Sequence, residues 1–472
     1  GFDRTAITRI DGMNFPGASY DPPSSYPKPG STAAQLLEEE RTLDFVWRDA
    51  GGGEVLCHWN AFTYGQGGLI ASRGMSRVYL FPIAFPDRSE RNVAGKIDQF
   101  VKQLMPYSRS PYMFCPIGFD FVPPIRDLVG LLDRYNRVRY PTTGVWTVNA
   151  GLDDYFSLVD GYRDRLPVLE IDPNPYWTGF YSARPTLKDR CHTLVERLLF
   201  AERLSVLAAG DAAKERVEEE LSSAWWDAVV ANHHDFITGT SPDRIVDEEQ
   251  LPWLERATQR ADEAIECMAR SGAPISEQQG PMSVASDRPT WQREGSRLEI
   301  RTANYAIDLN ETRGGTIERL VDRRTGQTLL DRGSNDLVVY KGSGGLWRMG
   351  HEFAGGSFEE VAHASEQSVS FQVIELPGEL EIRWKVSVGD ETVENVLWVG
   401  AKAPVFRFRV SGRVPDRHTV AVRMRTGLGI DQITMDVPGG TVIRPRARLY
   451  DPTFWPLYRF ARVWDRDSGM GM

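Results

Sequence analysis

The sequence predicts a multidomain protein in which three architectures follow one another: an α/β region with parallel strands, a helical bundle, and an antiparallel β domain of sandwich type. Three observations predict it. Up to about residue 175 short apolar runs alternate with one-sided helical patterns. From Leu187 to about Ala269 long Leu/Ala/Glu-rich segments follow one another with no strand signal between them. Beyond Trp291 the apolar period switches to two. A length of 472 residues also exceeds what one hydrophobic core usually serves, so two or three domains are expected.

In chain order, Thr5-Ala6-Ile7-Thr8-Arg9-Ile10 is strand-like with nothing before it to pair with, so the start reads as a truncation. The Pro/Gly/Ser-rich stretch from Asn14 to Thr32 is too long for a plain connector and reads as a functional or disordered loop. Val93, Ile97, Phe100, Val101 and Leu104 recur at helical spacing, as do Leu128, Leu131, Leu132 and Tyr135. Between these helices Tyr112 to Ile117 reads as a buried strand. Val145 to Val148 and Leu166 to Ile171 read as two more, with a helix over Asp153 to Tyr162 between them. The helical segments come next, then a polar linker from Gly272 to Trp291. In the last third Tyr305, Ile307 and Leu309 alternate, as do Leu380, Ile382, Trp384, Val386 and Val388, and Phe406, Phe408 and Val410. The end, Trp464 to Gly469, breaks off without a closing element. The domains are placed at 1–180, 181–271 and 285–472.

Composition excludes several function classes. Hydrophobic residues make up 41% and charged residues 25%, an ordinary globular balance that leaves no room for wholesale disorder. The 65 acidic against 55 basic residues give a net charge of -10 with no Lys/Arg stripe, so nucleic acid is not an expected partner. No apolar run approaches the roughly 20 residues that span a bilayer, and no leader opens the chain, so no membrane partner is expected and the location is read as cytoplasmic. Cys57, Cys115, Cys191 and Cys267 lack paired spacing and read as buried thiols of a reducing compartment. A Gly-x-Ser-x-Gly elbow, a Walker loop, Gly-x-Gly-x-x-Gly and His-Glu-x-x-His are all missing from the sequence.

Three features could carry chemistry. His233 and His234 stand together before Asp235, in Asn232-His233-His234-Asp235-Phe236-Ile237-Thr238-Gly239-Thr240, at the end of an amphipathic helix bearing Trp225, Trp226, Val229 and Val230. Imidazole beside carboxylate suits a metal or acid–base chemistry; a helix end whose histidines complement the dipole is the plainer reading. Asp120 follows the apolar run ending in Pro116-Ile117-Gly118, and the ends of parallel strands are where catalytic groups gather in α/β folds. Its alternative is a loop aspartate. Tyr176 to Pro185 is rich in aromatics that could stack on sugar faces, with Arg184 able to pair with a carboxylate; a packing junction is the alternative.

Taken together and in this order, these features resemble the α-mannosidases of glycoside hydrolase family 38. Tyr176 to Pro185 is similar to the family's Tyr-Trp-x-Gly-aromatic-x-x-x-Arg-Pro segment, and His233 to Thr240 is close to its His-His-Asp-x-Ile-Thr-Gly-Thr signature. Leu43 to Arg48 and the Gly118 to Phe121 turn match as well, although Phe119 stands where many members carry a second Asp. The resemblance covers nearly the whole chain and implies an incomplete parallel α/β barrel, a helical bundle and then β domains. It implies that His234 is a zinc ligand, that Asp235 hydrogen-bonds a sugar hydroxyl, and that Asp120 is the general acid/base. Arg9, Trp177 and Tyr64 fall where the family has a site arginine, a subsite aromatic and a tyrosine approaching the site. The family's His-x-Asp zinc ligands and its nucleophilic Asp lie upstream of the Arg9 strand, so this stretch alone is expected to be inactive.

The implied reaction is retaining hydrolysis of terminal α-linked mannose from oligosaccharides, with two carboxylates about 5 Å apart. A metal-dependent polysaccharide deacetylase or transglycosylase, or a carbohydrate-binding relative without catalysis, are the rival readings. The oligomeric state, a homo-oligomer included, stays open.

Overall fold

A computed structural model of the chain describes residues 35–49, 51–60, 65–78, 81–118, 123–171, 179–207, 211–270, 288–342, 359–430, 432–437, 440–445, 455, 457–464 and 469–471. The Thr5 to Ile10 run, the Asn14 to Thr32 stretch and most of the Gly272 to Trp291 linker fall outside these residues, as do Arg9, Tyr64, Asp120 and Trp177.

The N-terminal region holds five strands, β1 (Asp44–Arg48), β2 (Glu54–His58), β3 (Ser72–Val78), β4 (Phe81–Pro86) and β5 (Val168–Leu169), and three helices, α1 (Glu90–Leu104), α2 (Leu128–Thr143) and α3 (Leu152–Asp160). β1 lies between β2, antiparallel, and β5, parallel. Both faces of β1 are covered. Phe45 packs with Leu36, Cys57, Trp59, Leu104 and Leu169, whereas Val46 packs with Leu56 and with Tyr155, Phe156 and Val159 of α3. Coverage on both sides explains the unbroken apolar run Phe45-Val46-Trp47, the pattern of a strand inside an α/β layer. α1 starts where the Ser89 hydroxyl accepts the Asn92 N–H at 3.3 Å, and it packs Val93 and Ile97 against Leu131, Leu132 and Tyr135 of α2.

The expected alternation is met in part. The helices and the parallel β1–β5 pair are there, yet Tyr112 to Ile117 and Val145 to Val148 carry no strand ladder. An apolar run becomes a strand only if a neighbouring strand takes its backbone hydrogen bonds; among the described residues no strand pairs with these two, and the Pro116 carbonyl accepts from Gly67 while the Asn136 side chain takes the Thr147 N–H and carbonyl instead. Trp146 and Val148 are 60% and 69% exposed, so the second run is not the buried strand the sequence suggested. The antiparallel hairpins β1–β2 and β3–β4 were not foreseen.

The bundle forms as expected from α4 (Pro185–Leu207), α5 (Asp211–Ala231) and α6 (Leu251–Arg270), each in contact with the other two. Its core alternates large residues (Leu194, Leu198, Leu254, Met268) with Ala201, Ala224, Ala228, Ala257, Ala261 and Ala264, whose small side chains let the helices approach closely. The thiol of Cys191 lies in this core and burial pushes it up to about 11, so it is inert at neutral pH. Cys57 is also buried, while Cys115 and Cys267 are half-buried.

The last third is β structure in antiparallel ladders. A five-stranded sheet contains β6 (Thr290–Glu294), β7 (Arg297–Arg301), β8 (Tyr305–Asn310), β9 (Thr316–Asp322) and β10 (Thr328–Leu330), in the order β10-β9-β8-β7-β6. β11 (Asp336–Lys341) pairs with β12 (Glu359–His363) and with β17 (His418–Arg423). β13 (Gln372–Leu376), β14 (Glu379–Val388), β15 (Glu391–Gly400) and β16 (Phe406–Ser411) form a four-stranded meander. β18 (Gln432–Val437), β19 (Gly440–Pro445), β20 (Ala461–Trp464) and β21 (Gly469–Gly471) form another sheet. Ile307 and Leu309, the alternating Leu380 to Val388 set, Leu337, Val339 and Val463 share one core, so the residues that set the period-two pattern are the ones that meet. The buried Trp384 donates its indole N–H to the Gly314 carbonyl at 3.1 Å. Among the described residues no helix is long and apolar enough to cross a membrane.

Candidate active site

Two of the residues singled out from the sequence, His234 and Asp235, lie on the turn between α5 and α6. α5 ends at Ala231, and the chain turns through residues 232–239 before a short helical turn, Asp243–Ile245, leads toward α6. The three consecutive side chains His233, His234 and Asp235 are exposed, and a donor atom from each lies within 4.8 Å of the others. The Asp235 carboxylate is 3.6 Å from His234 Nε2 and 3.8 Å from His233 Nδ1, and the imidazole rings lie 4.2 Å apart.

The two histidines have different tasks. His233 Nδ1 accepts the backbone N–H of Asp235 at 3.2 Å, which commits that nitrogen to shaping the turn. The His234 side chain is 82% exposed, and among the described residues its Nε2 has one charged partner, the Asp235 carboxylate at 3.6 Å. His234 is therefore the imidazole left available to a ligand. The carboxylate beside it, 73% exposed, has no N–H or O–H donor within hydrogen-bond distance among the described residues.

Behind these exposed groups the backbone is held firmly. The Asp235 carbonyl accepts the Thr240 hydroxyl at 2.8 Å and the Ser241 hydroxyl at 3.1 Å, and Gln250 donates in turn to the Ser241 oxygen. Lys188, one turn into α4, donates to the Ile237 carbonyl at 2.7 Å and to the Ala183 carbonyl. Arg184 reaches the Ser241 carbonyl at 3.0 Å and the Asp243 carboxylate at 2.7 Å, the carboxylate pairing foreseen for it. Gly239, at φ +82°, packs so closely on Ala183 that no side chain fits between them. The Ile-Thr-Gly-Thr part of the motif thus serves to fix the His-His-Asp turn. Sequence reasoning missed Lys188 and the hydroxyl pair; the signal was the Thr-Gly-Thr-Ser run and a lysine one turn after Arg184-Pro185.

Tyr64, Asp120 and Trp177 lie outside the described residues, and only contacts of the segments beside them are described. Gly179 to Ala183, next to Trp177, leads straight into the contact with Gly239. Gly65 to Gly68, next to Tyr64, touches the chain before Asp120: Gly67 donates its N–H to the Pro116 carbonyl at 2.7 Å, and a Cβ on Gly67 would meet Ile117 at 2.7 Å. Arg9 lies outside the described residues.

The donor set fits a share of a zinc shell. Zinc takes imidazole nitrogen and carboxylate oxygen, four ligands in all, and His234 with Asp235 beside it can supply part of that number. The remaining ligands must come from elsewhere.

Comparison with known proteins agrees with the motif. Residues 175–271 match the family described as the alpha mannosidase middle domain. Alpha-mannosidase F of Dictyostelium discoideum is 35% identical over 236 aligned positions, the match covering 44% of this chain and 22% of that protein. Alpha-mannosidase 2 of Drosophila melanogaster is 27% identical over 253 residues, again 44% and 22%, and the human epididymis-specific alpha-mannosidase is 25% identical over 251 residues, 45% and 25%. The matched stretch thus amounts to a quarter or less of each of these relatives. The crystal structure of an alpha-mannosidase from Enterococcus faecalis V583 superposes with a TM-score of 0.70 at 12% identity, over 98% of this chain and 64% of that one, which shows the fold. With its His-His-Asp turn inside residues 175–271, the chain carries an alpha mannosidase middle domain and is similar to the glycoside hydrolase family 38 α-mannosidases, of whose length it spans a part.

Proposed function

We propose that the protein containing this chain is a zinc-dependent retaining exo-α-mannosidase acting on terminal α-linked mannose of oligosaccharides, and that His234 is one of its metal ligands. The observation that carries this reading is the division of labour at the turn: His233 is bound into the backbone, while His234 and Asp235 project from a rigid support with their polar atoms free. The N-terminal sheet is then read as part of an incomplete α/β barrel and the β region as a sandwich.

In this reading His234 binds the zinc in its neutral form, and the metal supplies a positive centre that polarises and orients neighbouring sugar hydroxyls. Asp235 accepts a hydrogen bond from a sugar hydroxyl; its free carboxylate and pinned carbonyl suit that task. Asp120 protonates the departing oxygen and later takes a proton from water, the role of the acid/base carboxylate in retaining hydrolysis. Trp177 offers a face to the sugar ring, and Arg9 and Tyr64 supply donors to its oxygens. The nucleophile and the other ligands are assigned to the part of the protein beyond this chain, and this stretch alone is read as inactive.

Elemental analysis of the metal-loaded protein tests the ligand directly. His234→Ala should lose most of its zinc. His233→Ala should retain more, with loss of thermal stability instead, because that ring shapes the turn. Full zinc retention in His234→Ala would sink the assignment, and mannose binding without turnover in the complete protein would favour the non-catalytic reading.

A further inference from the structure

Lys188 stands in the first turn of α4, a doubly unfavourable place for an ammonium group. The positive end of a helix dipole repels it. It is also half-buried, and burial lowers the amine from 10.5 to about 8. Among the described residues no carboxylate pairs with it; the amine donates instead to two backbone carbonyls, that of Ala183 and, at 2.7 Å, that of Ile237. A side chain that breaks local preference twice calls for a compensating task.

From Ile237 a short path leads to the candidate metal ligand. The Ile237 N–H donates to the His233 carbonyl at 3.0 Å, and the Phe236 N–H donates to the same oxygen at 2.8 Å. That carbonyl belongs to the planar peptide unit joining His233 to His234, so its orientation governs the direction in which the His234 side chain leaves the backbone. Ile237 thus receives the Lys188 amine at its carbonyl and gives its own N–H to the peptide ahead of His234. The peptide after Asp235 is held separately, its carbonyl accepting the Thr240 and Ser241 hydroxyls. His234 and Asp235 therefore stand between two pinned carbonyls. The Thr240 and Ser241 bonds are local to the turn, whereas Lys188 ties it to a separate helix.

Resting on the reading of His234 as a zinc ligand, we propose that Lys188 is a positioning residue for the metal site, orienting the His234 imidazole through Ile237 without touching the metal. Loss of a group that orients a metal ligand weakens metal binding about 10–100-fold. Lys188 acts through two successive hydrogen bonds, which places it at the lower end of that range.

Zinc dissociation constants of the complete protein, measured by competition with a chelating dye, test this beside thermal midpoints and amide hydrogen exchange of the metal-free protein. Lys188→Met should weaken zinc binding about tenfold and speed exchange at residues 233–239 while α5 stays protected. Lys188→Arg, which keeps a cationic donor, should recover part of the affinity. Leu198→Ala controls for a general loss of stability: it opens the buried bundle core, so it should lower the midpoint and leave zinc affinity unchanged. Unchanged zinc affinity in Lys188→Met, where His234→Ala loses its zinc, overturns the positioning role and leaves the ligand assignment standing. Equal losses of affinity in Lys188→Met and Leu198→Ala overturn the positioning role as well, because stability alone would then account for them. Unaltered exchange at residues 233–239, or no recovery in Lys188→Arg, does the same. Zinc retained in His234→Ala overturns the ligand assignment and this proposal with it.

Discussion

Replacing Gly239 by alanine tests how firmly the His-His-Asp turn is built. Gly239 adopts φ +82°, and a Cβ there would lie 2.9 Å from the Ala183 Cβ and 3.4 Å from Arg184 Cγ. The left-handed backbone costs a non-glycine residue about 1–2 kcal/mol. Overlap with Ala183 is an overpacking error of about 1–3 kcal/mol, so Gly239→Ala should destabilise the bundle by about 2–5 kcal/mol. The two contributions separate in a double-mutant cycle. Ala183→Gly removes the atom that the new Cβ meets, at a cost of about 0.4–1 kcal/mol through the unfolded chain. The double variant should then recover the overlap contribution, a coupling of about 1–3 kcal/mol, while the backbone strain remains. Urea unfolding followed by helical circular dichroism measures all four proteins. A neutral Gly239→Ala, or a cycle additive to within about 0.5 kcal/mol, would refute the close approach of Ala183 to this turn.

Three further outcomes follow from the same contacts. Burial, the main cause, lowers the Lys188 amine from 10.5 to about 8. Between these values the unfolded chain holds the extra proton, so the Lys188 contribution to stability rises with pH across that window. The stability difference between wild type and Lys188→Met should therefore shift in favour of wild type from pH 8 to 10.5, and parallel pH profiles would contradict it. Tyr155 donates its hydroxyl to both oxygens of the buried Asp44 carboxylate at 2.9 Å, so Tyr155→Phe should cost about 1.5–3 kcal/mol, measured in the unfolding of the N-terminal region. His58, at 2.8 Å from the same carboxylate, keeps Asp44 from being wholly unpartnered in that variant, and a loss in His58→Phe smaller than about 0.5 kcal/mol would mean that the buried pair adds nothing.

Much of the architecture was legible because periodicity records burial. The helices around Val93 to Leu104 and Leu128 to Tyr135, the alanine-rich bundle and the alternating strands at Tyr305, Leu380 and Phe406 each announce the face they hide. Tyr112 to Ile117 and Val145 to Val148 misled because strand identity is decided by a partner, which an apolar run does not encode. The β1–β2 hairpin was missed although Asp49 and the glycines after it form its turn, with the Asp49 carboxylate accepting the Gly51 and Gly53 N–H groups at 2.8 Å. At the turn, the motif singled out His233, His234 and Asp235 but did not show how their hydrogen bonds differ. Two adjacent histidines look equivalent in sequence, and only the hydrogen bond from the Asp235 backbone to His233 distinguishes them.

The most direct test of the central claim is hydrolysis of an activated α-mannoside by the complete protein, loaded with zinc, treated with chelator, and carrying Asp120→Asn or His234→Ala. The account predicts activity with retention of anomeric configuration that chelator abolishes, that falls by about 10²-fold or more without the Asp120 acid, and that zinc restores far less well in His234→Ala than in wild type. Full activity in chelator, or an unimpaired His234→Ala variant, would contradict it.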